Sequence, residues 1–490
     1  MMSRLAPCLS LAAALLLAGC EGGGDRTLDV AFIETPEALF ADGLRIGEGA
    51  QHLRAATQDG LVGFDAEGRV IPALADSWIV TEDGRSYIFR LRNGNWADGA
   101  RIDARSTRSR LAATLSALDG TSLGRDLEIV DDVRAMAGRV IEIRLRAPMP
   151  QFLQLLAQPE LAVTRPGEDI GPMQLGRPEG VSRLSAIDPD RRGRVAREGW
   201  EDAVRSIDIA AMPAAQAVAA FGDGDLDLVL GGTIATLPLA PTGALTRGTV
   251  RADPAIGLFG LRVRRAEGLL ATSDVREALS LAIDREALMA PFGLGGWQAA
   301  QFPVPAGLPG YEEGWPVRWA ELDIEQRRAI AANRIATWRS ASPETPAVLS
   351  IYLPAGPGSD RLFARIAQDF AAINLGATRA ADERAADLAL VDRVARYAAP
   401  RWFLNQFACP VVRGPCSAEA DGLVNDALAA ADDTGRRLLL GEAARTLAAT
   451  HIYIPFGAPV RWSLVRSDIE GFAANPLAFH PLPDLAQVPR

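Results

Sequence analysis

The chain has 490 residues, of which 48% are hydrophobic and 23% are charged. This is a globular composition, and the length is sufficient for two or three domains. The net charge of −10 and the isoelectric point of about 5.1 argue against a nucleic-acid-binding protein. The sequence has no lysine, so all 51 basic residues are arginine and chemistry based on a lysine amine is excluded.

The N-terminus has the pattern of an export signal. Arg4 precedes an apolar run over residues 8–18, which is shorter than the roughly 20 residues needed to cross a bilayer. The tetrapeptide LAGC at 17–20 is typical of a bacterial lipoprotein signal and predicts a signal peptide over 1–19 and lipidation of Cys20. Residues 20–26 would then be a lipidated linker. The alternative is an ordinary signal peptide with an incidental cysteine.

Two cysteines remain after processing, Cys409 and Cys416, in the segment CPVVRGPC. Export to an oxidising compartment favours a disulfide between them. The alternative is a metal site. Zinc would need two further ligands, and the three histidines, His52, His451 and His480, are widely separated in the sequence.

The first half of the chain has the pattern of an α/β protein. LDVAFI at 28–33 predicts a buried strand, and residues 60–99 predict strands joined by tight turns at Asp83-Gly84 and Asn93-Gly94. We expect further elements as follows: helices at 104–119 and 148–157, a strand at 139–147, and then strand, helix and strand at 206–210, 214–221 and 226–230. This succession indicates an open α/β sheet.

The second half continues the same pattern. A helix is predicted at 273–289 with Ser273 at its N-cap. The other expected elements are helices at 322–340 and 359–373, strands at 348–353 and 388–391, two helices within 418–450, and a strand, turn and strand at 452–466.

No sequence motif supports an enzyme. HExxH, GxSxG, GxxxxGK[ST] and paired CxxC motifs are absent. The acidic cluster of Asp223, Asp225 and Asp227 suggests calcium, but Ile234 stands where an EF-hand loop needs its twelfth-position glutamate. We therefore interpret the cluster as a turn between a helix and a strand, and expect no metal and no cofactor.

Three long segments are distinctive: ALADSWIVTEDGRSYIFRLRNGNWAD at 73–98, DVREALSLAIDREAL at 274–288 and IYIPFGAPVRW at 452–462. They resemble the family 5 extracellular solute-binding proteins, the oligopeptide, dipeptide and nickel receptors of bacterial ABC importers. Shorter pieces, IGPM at 170–173 and FGDGDLDLV at 221–229, follow in the family's order. The resemblance covers most of the mature chain.

The resemblance implies an α/β, bilobal periplasmic-binding-protein fold (type 2, Venus-flytrap) with an extra small subdomain. Lobe I would comprise residues 27–255, with the subdomain at about 51–160, lobe II residues 256–464, and residues 465–490 would return to lobe I. Such a protein captures a solute by closing about a hinge and needs no bond chemistry. We expect a monomer in the periplasm or cell envelope, held to the membrane by its lipid, that delivers the solute to an ABC importer permease.

Arg396 departs from the family's pattern. Peptide receptors of the family carry an acidic residue in an A-D-Y-x-x-P segment, which pairs with the α-amino group of the peptide. The similar segment here is ARYAAPRWFLNQF at 395–407, with Arg396 in the place of the acid. An arginine repels an ammonium group and suits a carboxylate or phosphate, so we hypothesise that Arg396 binds an anionic group. Alternatively, the segment is shifted, Arg396 faces solvent, or Asp392, one helical turn earlier, supplies the acid.

Other residues are candidates for contact with the solute. Aromatic side chains cover ligand faces in this class of protein, although each is as well suited to the core. The candidates are Tyr397, Trp402, Phe407 and Trp297, with Glu34 and Pro36 where the family's first lobe touches ligand.

The sequence therefore predicts a lipid-anchored solute-binding protein, not an enzyme, for a peptide or a peptide-like or anionic solute. The alternative is a degenerate family member that acts as a sensor or an envelope interaction lipoprotein without transport.

Overall fold

The computed structural model describes residues 27–96, 98–163, 169–241, 248–309, 311, 319 and 321–488. The expected signal peptide, Cys20 and the linker at 20–26 lie outside these residues. Within the described part of the chain, no helix is both long and apolar enough to cross a membrane.

The strands are β1 Leu28–Ile33, β2 Val62–Phe64, β3 Val70–Pro72, β4 Ala75–Val80, β5 Ser86–Leu91, β6 Val130–Ala135, β7 Val140–Leu145, β8 Met173–Gly176, β9 Arg183–Ala186, β10 Ile207–Met212, β11 Leu228–Thr233, β12 Val250–Asp253, β13 Gly257–Val263, β14 Val348–Tyr352, β15 Gly376–Arg379, β16 Leu388–Val394, β17 Tyr453–Gly457 and β18 Arg461–Val465.

The helices are α1 Pro36–Leu39, α2 Glu48–Thr57, α3 Ala104–Ala117, α4 Ser122–Leu127, α5 Phe152–Leu156, α6 Ala214–Asp223, α7 Ser273–Ala282, α8 Arg285–Met289, α9 Ile324–Ala341, α10 Pro357–Ala371, α11 Pro400–Asn405, α12 Ala418–Ala429, α13 Asp433–Ala449 and α14 Leu482–Leu485.

Lobe I is built on a seven-stranded mixed sheet in the order β12-β18-β11-β1-β10-β9-β8. Strand β1 pairs in parallel with β10 on one edge and β11 on the other, and its side chains are buried on both faces of the sheet, so its sequence is apolar. Helices α1, α2 and α14 pack on one face of the sheet, and α6 packs on the other. Gly224, in the left-handed conformation, ends α6, and Asp227 accepts the Asp29 N–H (3.0 Å). The cluster at 223–227 thus lies in a helix-to-strand turn.

The subdomain contains a four-stranded antiparallel sheet in the order β4-β5-β7-β6 together with α3, α4 and α5. Asp103 forms a capping box with Ser106 at the start of α3. Helix α2 belongs to the core of lobe I through Leu53 and Ala56. The subdomain therefore begins after Thr57, where the chain leaves α2, and not at residue 51 as the sequence suggested.

Lobe II is built on a five-stranded mixed sheet in the order β15-β14-β16-β13-β17. Helices α7–α10 cover one face, and α11–α13 lie on the other face. The apolar core on this second face is continuous with the core of the subdomain. Leu111 and Leu127 of the subdomain belong to the same buried cluster as Tyr397, Phe403 and Leu447 of lobe II.

The chain crosses between the two large sheets twice, between Asp253 and Gly257 and between Gly457 and Arg461. The predicted strand, turn and strand at 452–466 is present as β17 and β18, and these two strands belong to different lobes. The return to lobe I comes at Arg461, four residues before the expected boundary at 465. The segment after β18 packs into the lobe I core through Ile469 and Leu485.

The helix predicted at 273–289 is two helices. Ile283 adopts an extended conformation after α7, and Asp284 caps α8 by accepting the Ala287 N–H (3.1 Å). The N-cap of α7 is Thr272 rather than Ser273. The apolar stripe continues across this break because both helices pack on the same core. Sequence periodicity alone therefore could not show the break between α7 and α8.

Candidate functional site in the cleft between the lobes

A cavity of about 260 Å³ lies between the two lobes, close to both crossovers. Lobe I contributes the N-terminal half of α2 and residues 477–479. Lobe II contributes the end of β16 and one side of α11, and the subdomain contributes Gln158 and Pro159. Because its walls come from all three parts of the fold, a solute held there would contact both lobes at once.

Arg461 is the central cation of the cavity and is 6% exposed. Its Nε lies 2.9 Å from Glu48 Oε1 of lobe I, and its Nη1 lies 2.6 Å from Asp392 Oδ1 of lobe II. Burial raises the pKa of Asp392, and Arg461 opposes this shift. Burial lowers the pKa of Arg461, but the two carboxylates outweigh it and the net shift is upward. The triad therefore joins the lobes through two salt bridges.

Arg396 also lines the cavity, and its charge is neutralised within the protein. Its guanidinium makes two contacts to the carboxylate of Glu160, with Nη2–Oε1 2.7 Å and Nη1–Oε2 2.9 Å, and a third to Gln158 Oε1 at 3.1 Å. Glu160 is fully buried, which raises its pKa, but Arg396 outweighs burial and the net shift is downward. Arg396 of lobe II is thus held by the subdomain.

The acid that lies closest in sequence, Asp392, is not one helical turn from Arg396. Strand β16 continues to Val394, so the segment around Asp392 is extended. Asp392 lines the cavity, but its carboxylate is paired with Arg461.

Tyr397 lies in a second polar contact between lobe II and the subdomain, centred on buried Asp126. The Tyr397 hydroxyl and Asn405 Nδ2 both donate to Asp126 Oδ1, at 2.9 and 2.6 Å. Arg401 donates to the Asp126 and Arg125 carbonyls at 2.8 and 2.7 Å. Burial raises the pKa of Asp126 to about 6, against the opposing effect of Arg401. Tyr397 is fully buried and serves this contact rather than the cavity wall.

Trp402 of α11 forms part of the cavity wall and is 2% exposed. Its ring packs edge-on against Phe403, with centroids 4.9 Å apart. Beside it, Gln406 donates through Nε2 to the Trp402 carbonyl (3.3 Å) and accepts through Oε1 from Arg393 Nη1 (3.1 Å). Trp402, Gln406 and Arg393 thus form one continuous part of the lobe II wall.

His52 of α2 lines the cavity from lobe I and is close to His480, which the sequence does not suggest. His52 Nε2 accepts the His480 backbone N–H (3.1 Å), and His52 Nδ1 lies 2.7 Å from the Glu48 carbonyl. His480 Nε2 lies 3.2 Å from Asp253 Oδ2, beside the first crossover. The two rings are held in place by protein groups. The described residues include no group of three or more His, Cys, Asp or Glu side chains suited to a metal.

Phe407 and Trp297 lie away from the cavity. Phe407 is buried against Tyr453, with ring centroids 4.9 Å apart. Trp297 donates through Nε1 to the Ala458 carbonyl (2.9 Å) and lies over Gly457, at the second crossover. Trp297 therefore contacts the hinge.

Glu34 and Pro36 also lie outside the cavity wall. The Glu34 carboxylate is close to Gly47 and Gly49 and accepts the Gly49 backbone N–H at the start of α2. Burial, with the nearby charge of Glu48, raises the pKa of Glu34 to about 7. Pro36 is exposed at the first position of α1.

Cys409 and Cys416 form the predicted disulfide, with Cα atoms 5.2 Å apart. The bond closes the loop between α11, which carries Trp402, and α12. This confirms the disulfide interpretation over the metal pair.

Sequence reasoning missed the partners that surround the cavity. Arg461 lies within a segment already associated with the family, but its pairing with Glu48, 413 positions away, has no sequence signal. Glu160 falls in a region without regular periodicity, and Asp126 lies in a short helix of ordinary composition.

The family description "Bacterial extracellular solute-binding proteins, family 5 Middle" matches residues 69–409. The chain belongs to this family. Membership confirms the resemblance drawn from the sequence and places the chain among solute-binding proteins rather than enzymes.

Two curated relatives illustrate the range of the family. The nickel-binding periplasmic protein of Escherichia coli K12 is 27% identical over 60% of this chain and 56% of its own length. The chain thus matches little more than half of that relative. The periplasmic oligopeptide-binding protein OppA of Salmonella typhimurium is 22% identical over 85% of this chain and 84% of its own length.

Solved structures show the same fold. The crystal structure of Haemophilus influenzae OppA in complex with RPPGFSPFR has a TM-score of 0.80, at 17% identity, over 95% of this chain and 100% of that chain. The expected bilobal, type 2 periplasmic-binding-protein fold is therefore confirmed.

Proposed function

We propose that this family 5 protein captures a small solute in the cavity between its lobes and delivers it to an ABC importer. The solute is a peptide, or a peptide-like or anionic compound. The observation that carries the proposal is the cavity itself, whose walls come from both lobes and which contains Arg461, Asp392 and Glu48. Ligand pockets commonly measure roughly 300–1,000 Å³, so a cavity of about 260 Å³ suits a compact solute.

Of the residues expected from sequence to contact the solute, Arg396 and Trp402 line the cavity. We propose Trp402 as the contact, since the charge of Arg396 is paired with Glu160. The LAGC tetrapeptide supports export and lipidation at Cys20. We propose that the mature protein acts as a lipid-anchored monomer at the cell envelope, where a flexible linker would let it meet a permease.

The test is a thermal-shift screen of the purified mature protein, followed by small-angle X-ray scattering. The panel contains free peptides, the same peptides N-acetylated, small polycarboxylates and nickel chelates. A ligand at 100 times its dissociation constant should add about 2.7 kcal/mol to the free energy of unfolding. A compound that binds should also not increase the radius of gyration of the protein, because it bridges the two lobes.

A compound that stabilises Arg461→Gln as strongly as the unchanged protein would not bind in this cavity. If no compound in the panel raises the melting temperature, solute capture is not supported, and a sensor or envelope interaction lipoprotein becomes the better description.

A further inference from the structure

Trp402 lines the cavity and carries a hydrogen-bond donor that the protein does not use. The indole Nε1–H is buried and has no hydrogen-bond partner among the described residues. Most buried N–H groups in folded proteins are paired, because an unpaired one loses its hydration without compensation. An indole nitrogen can only donate, so its missing partner must be an acceptor such as a carboxylate or carbonyl oxygen.

Arg393 provides a positive charge in the same wall of the cavity. Its side chain is exposed at the end of β16 and lines the same cavity. Its hydrogen bond is to the neutral amide oxygen of Gln406 (3.1 Å), and no described carboxylate lies within ion-pair distance of it. Burial lowers the pKa of Arg393 and the charge of Glu383 opposes this shift, but Glu383 forms its ion pair with Arg264, at 3.2 Å.

The other charged groups of the wall have partners within the protein. Arg461 is paired with Glu48 and Asp392, and Arg396 is paired with Glu160. The charges of these paired groups offset one another. The groups that remain available to a ligand are the Arg393 guanidinium, a cation, and the Trp402 indole N–H, a neutral donor. Both belong to lobe II and both are connected to Gln406.

We propose that Trp402 and Arg393 together bind a carboxylate of the captured solute. The indole N–H and the guanidinium would donate to the carboxylate oxygens, and such charge-assisted hydrogen bonds are stronger than neutral ones. This inference rests on the proposed function, since it names the group that the cavity recognises.

The experiment uses two pairs of probes that differ only in the acid group: N-acetyl-dialanine with its C-terminal amide, and glutarate with glutaramide. Dissociation constants are measured by calorimetry for the mature protein and for two variants. Trp402→Phe keeps an aromatic ring and removes the N–H, and Arg393→Gln removes the charge from an exposed side chain. Trp338→Phe and Arg437→Gln, on lobe II outside the cavity wall, are the matched controls.

We expect the unchanged protein to prefer an acid to its amide. Each cavity variant should weaken binding of the acid by about tenfold or more and weaken binding of the amide less, while the controls keep the preference. Arg393→Gln is informative even if Trp402→Phe folds poorly, because an exposed side chain contributes little to folding.

Equal binding of acid and amide, or no binding of any probe, would overturn the carboxylate inference. So would an acid preference that survives in both variants. The proposed function would fail separately, and only if the wider panel of peptides, polycarboxylates and chelates also gave no stabilisation.

Discussion

His52 shows how a single buried residue can make part of the cavity wall depend on pH. Its Nε2 accepts the His480 N–H, so the proton of the neutral ring lies on Nδ1 and is donated to the Glu48 carbonyl. Burial lowers the pKa of His52 to about 4, with the charge of His480 acting in the same direction and Glu48 and Asp253 opposing it. Protonation would therefore disrupt this part of lobe I.

We predict that His52 makes the fold less stable in acid. Between pH 4 and 6.5 the unfolded chain binds a proton at this site that the folded protein does not, so stability rises with pH across this window. The shift from 6.5 to about 4 corresponds to about 3 kcal/mol, present above pH 6.5 and lost as the pH falls to 4. Urea unfolding at pH 7.5 and 4.5 should show a smaller loss for His52→Gln than for the unchanged protein.

Comparing the unchanged protein with His52→Gln isolates the contribution of His52. Asp126 changes the free energy of unfolding with pH in the opposite direction, but it does so in both proteins. Its pKa is raised to about 6, so its contribution is greatest in acid and is lost as the pH rises from 4 to 6. His451→Gln, a histidine of lobe II, is the control. Identical losses for His52→Gln and the unchanged protein would refute the assignment.

At the scale of elements, the contact between the end of β16 and the turn Pro159–Leu161 fixes lobe II against the subdomain. Arg396 and Glu160 form its ion pair, and Gln158 adds hydrogen bonds to both the side chain and the carbonyl of Arg396. Removing one member of a buried ion pair costs far more than replacing both, because the remaining charge stays buried without a partner.

We predict that Arg396→Met lowers the free energy of unfolding by about 3 kcal/mol, since it leaves the Glu160 carboxylate unpaired. The double variant Arg396→Met with Glu160→Met should lose less than the sum of the two single variants. Urea denaturation at neutral pH gives the free energies of unfolding of the unchanged protein, the two single variants and the double variant, which together form a double-mutant cycle. Additive losses, with no coupling energy, would show that the pair does not join these elements.

For the whole molecule, the two crossovers and the large contact between lobe II and the subdomain decide how the lobes are arranged. The second crossover is tightly packed. A Cβ atom on Gly457 would lie 2.2 Å from Trp297 Cζ2 and 2.5 Å from the Gln298 carbonyl oxygen. At the first crossover, a Cβ atom on Gly257 would lie 2.0 Å from the Arg393 carbonyl oxygen. The hinge therefore has little room for side chains.

We predict that Gly457→Ala destabilises the protein by about 1–3 kcal/mol, because backbone atoms at the crossover must move. It should also change the radius of gyration of the ligand-free protein, since β17 and β18 belong to different lobes. Urea unfolding and small-angle X-ray scattering measure the two effects.

Gly422→Ala is the matched control for this substitution. Gly422 lies inside α12, and no heavy atom would come within 4 Å of its Cβ. Alanine is also favoured over glycine in helices, so this variant should be neutral or more stable by up to about 1 kcal/mol. If both alanine variants behaved alike, the close packing at Gly457 would not constrain the hinge.

The sequence by itself determined the elements of this protein and the family to which it belongs. Apolar periodicity and turn residues are local, so β1, the subdomain strands and most helices followed from short stretches of chain. The disulfide followed from two nearby cysteines and the expected compartment, and the family followed from segments such as DVREALSLAIDREAL.

Only the tertiary structure decided which residues line the cavity. Arg396 looked like an anion-binding residue in its segment, but Glu160, 236 positions away, neutralises it. Trp402 and Arg393 were identified from their surroundings, because the indole N–H has no hydrogen-bond partner among the described residues and the guanidinium is bonded to the neutral amide of Gln406. The charge and hydrogen-bonding state of a side chain depend on neighbours brought together by folding, and no local pattern records those neighbours.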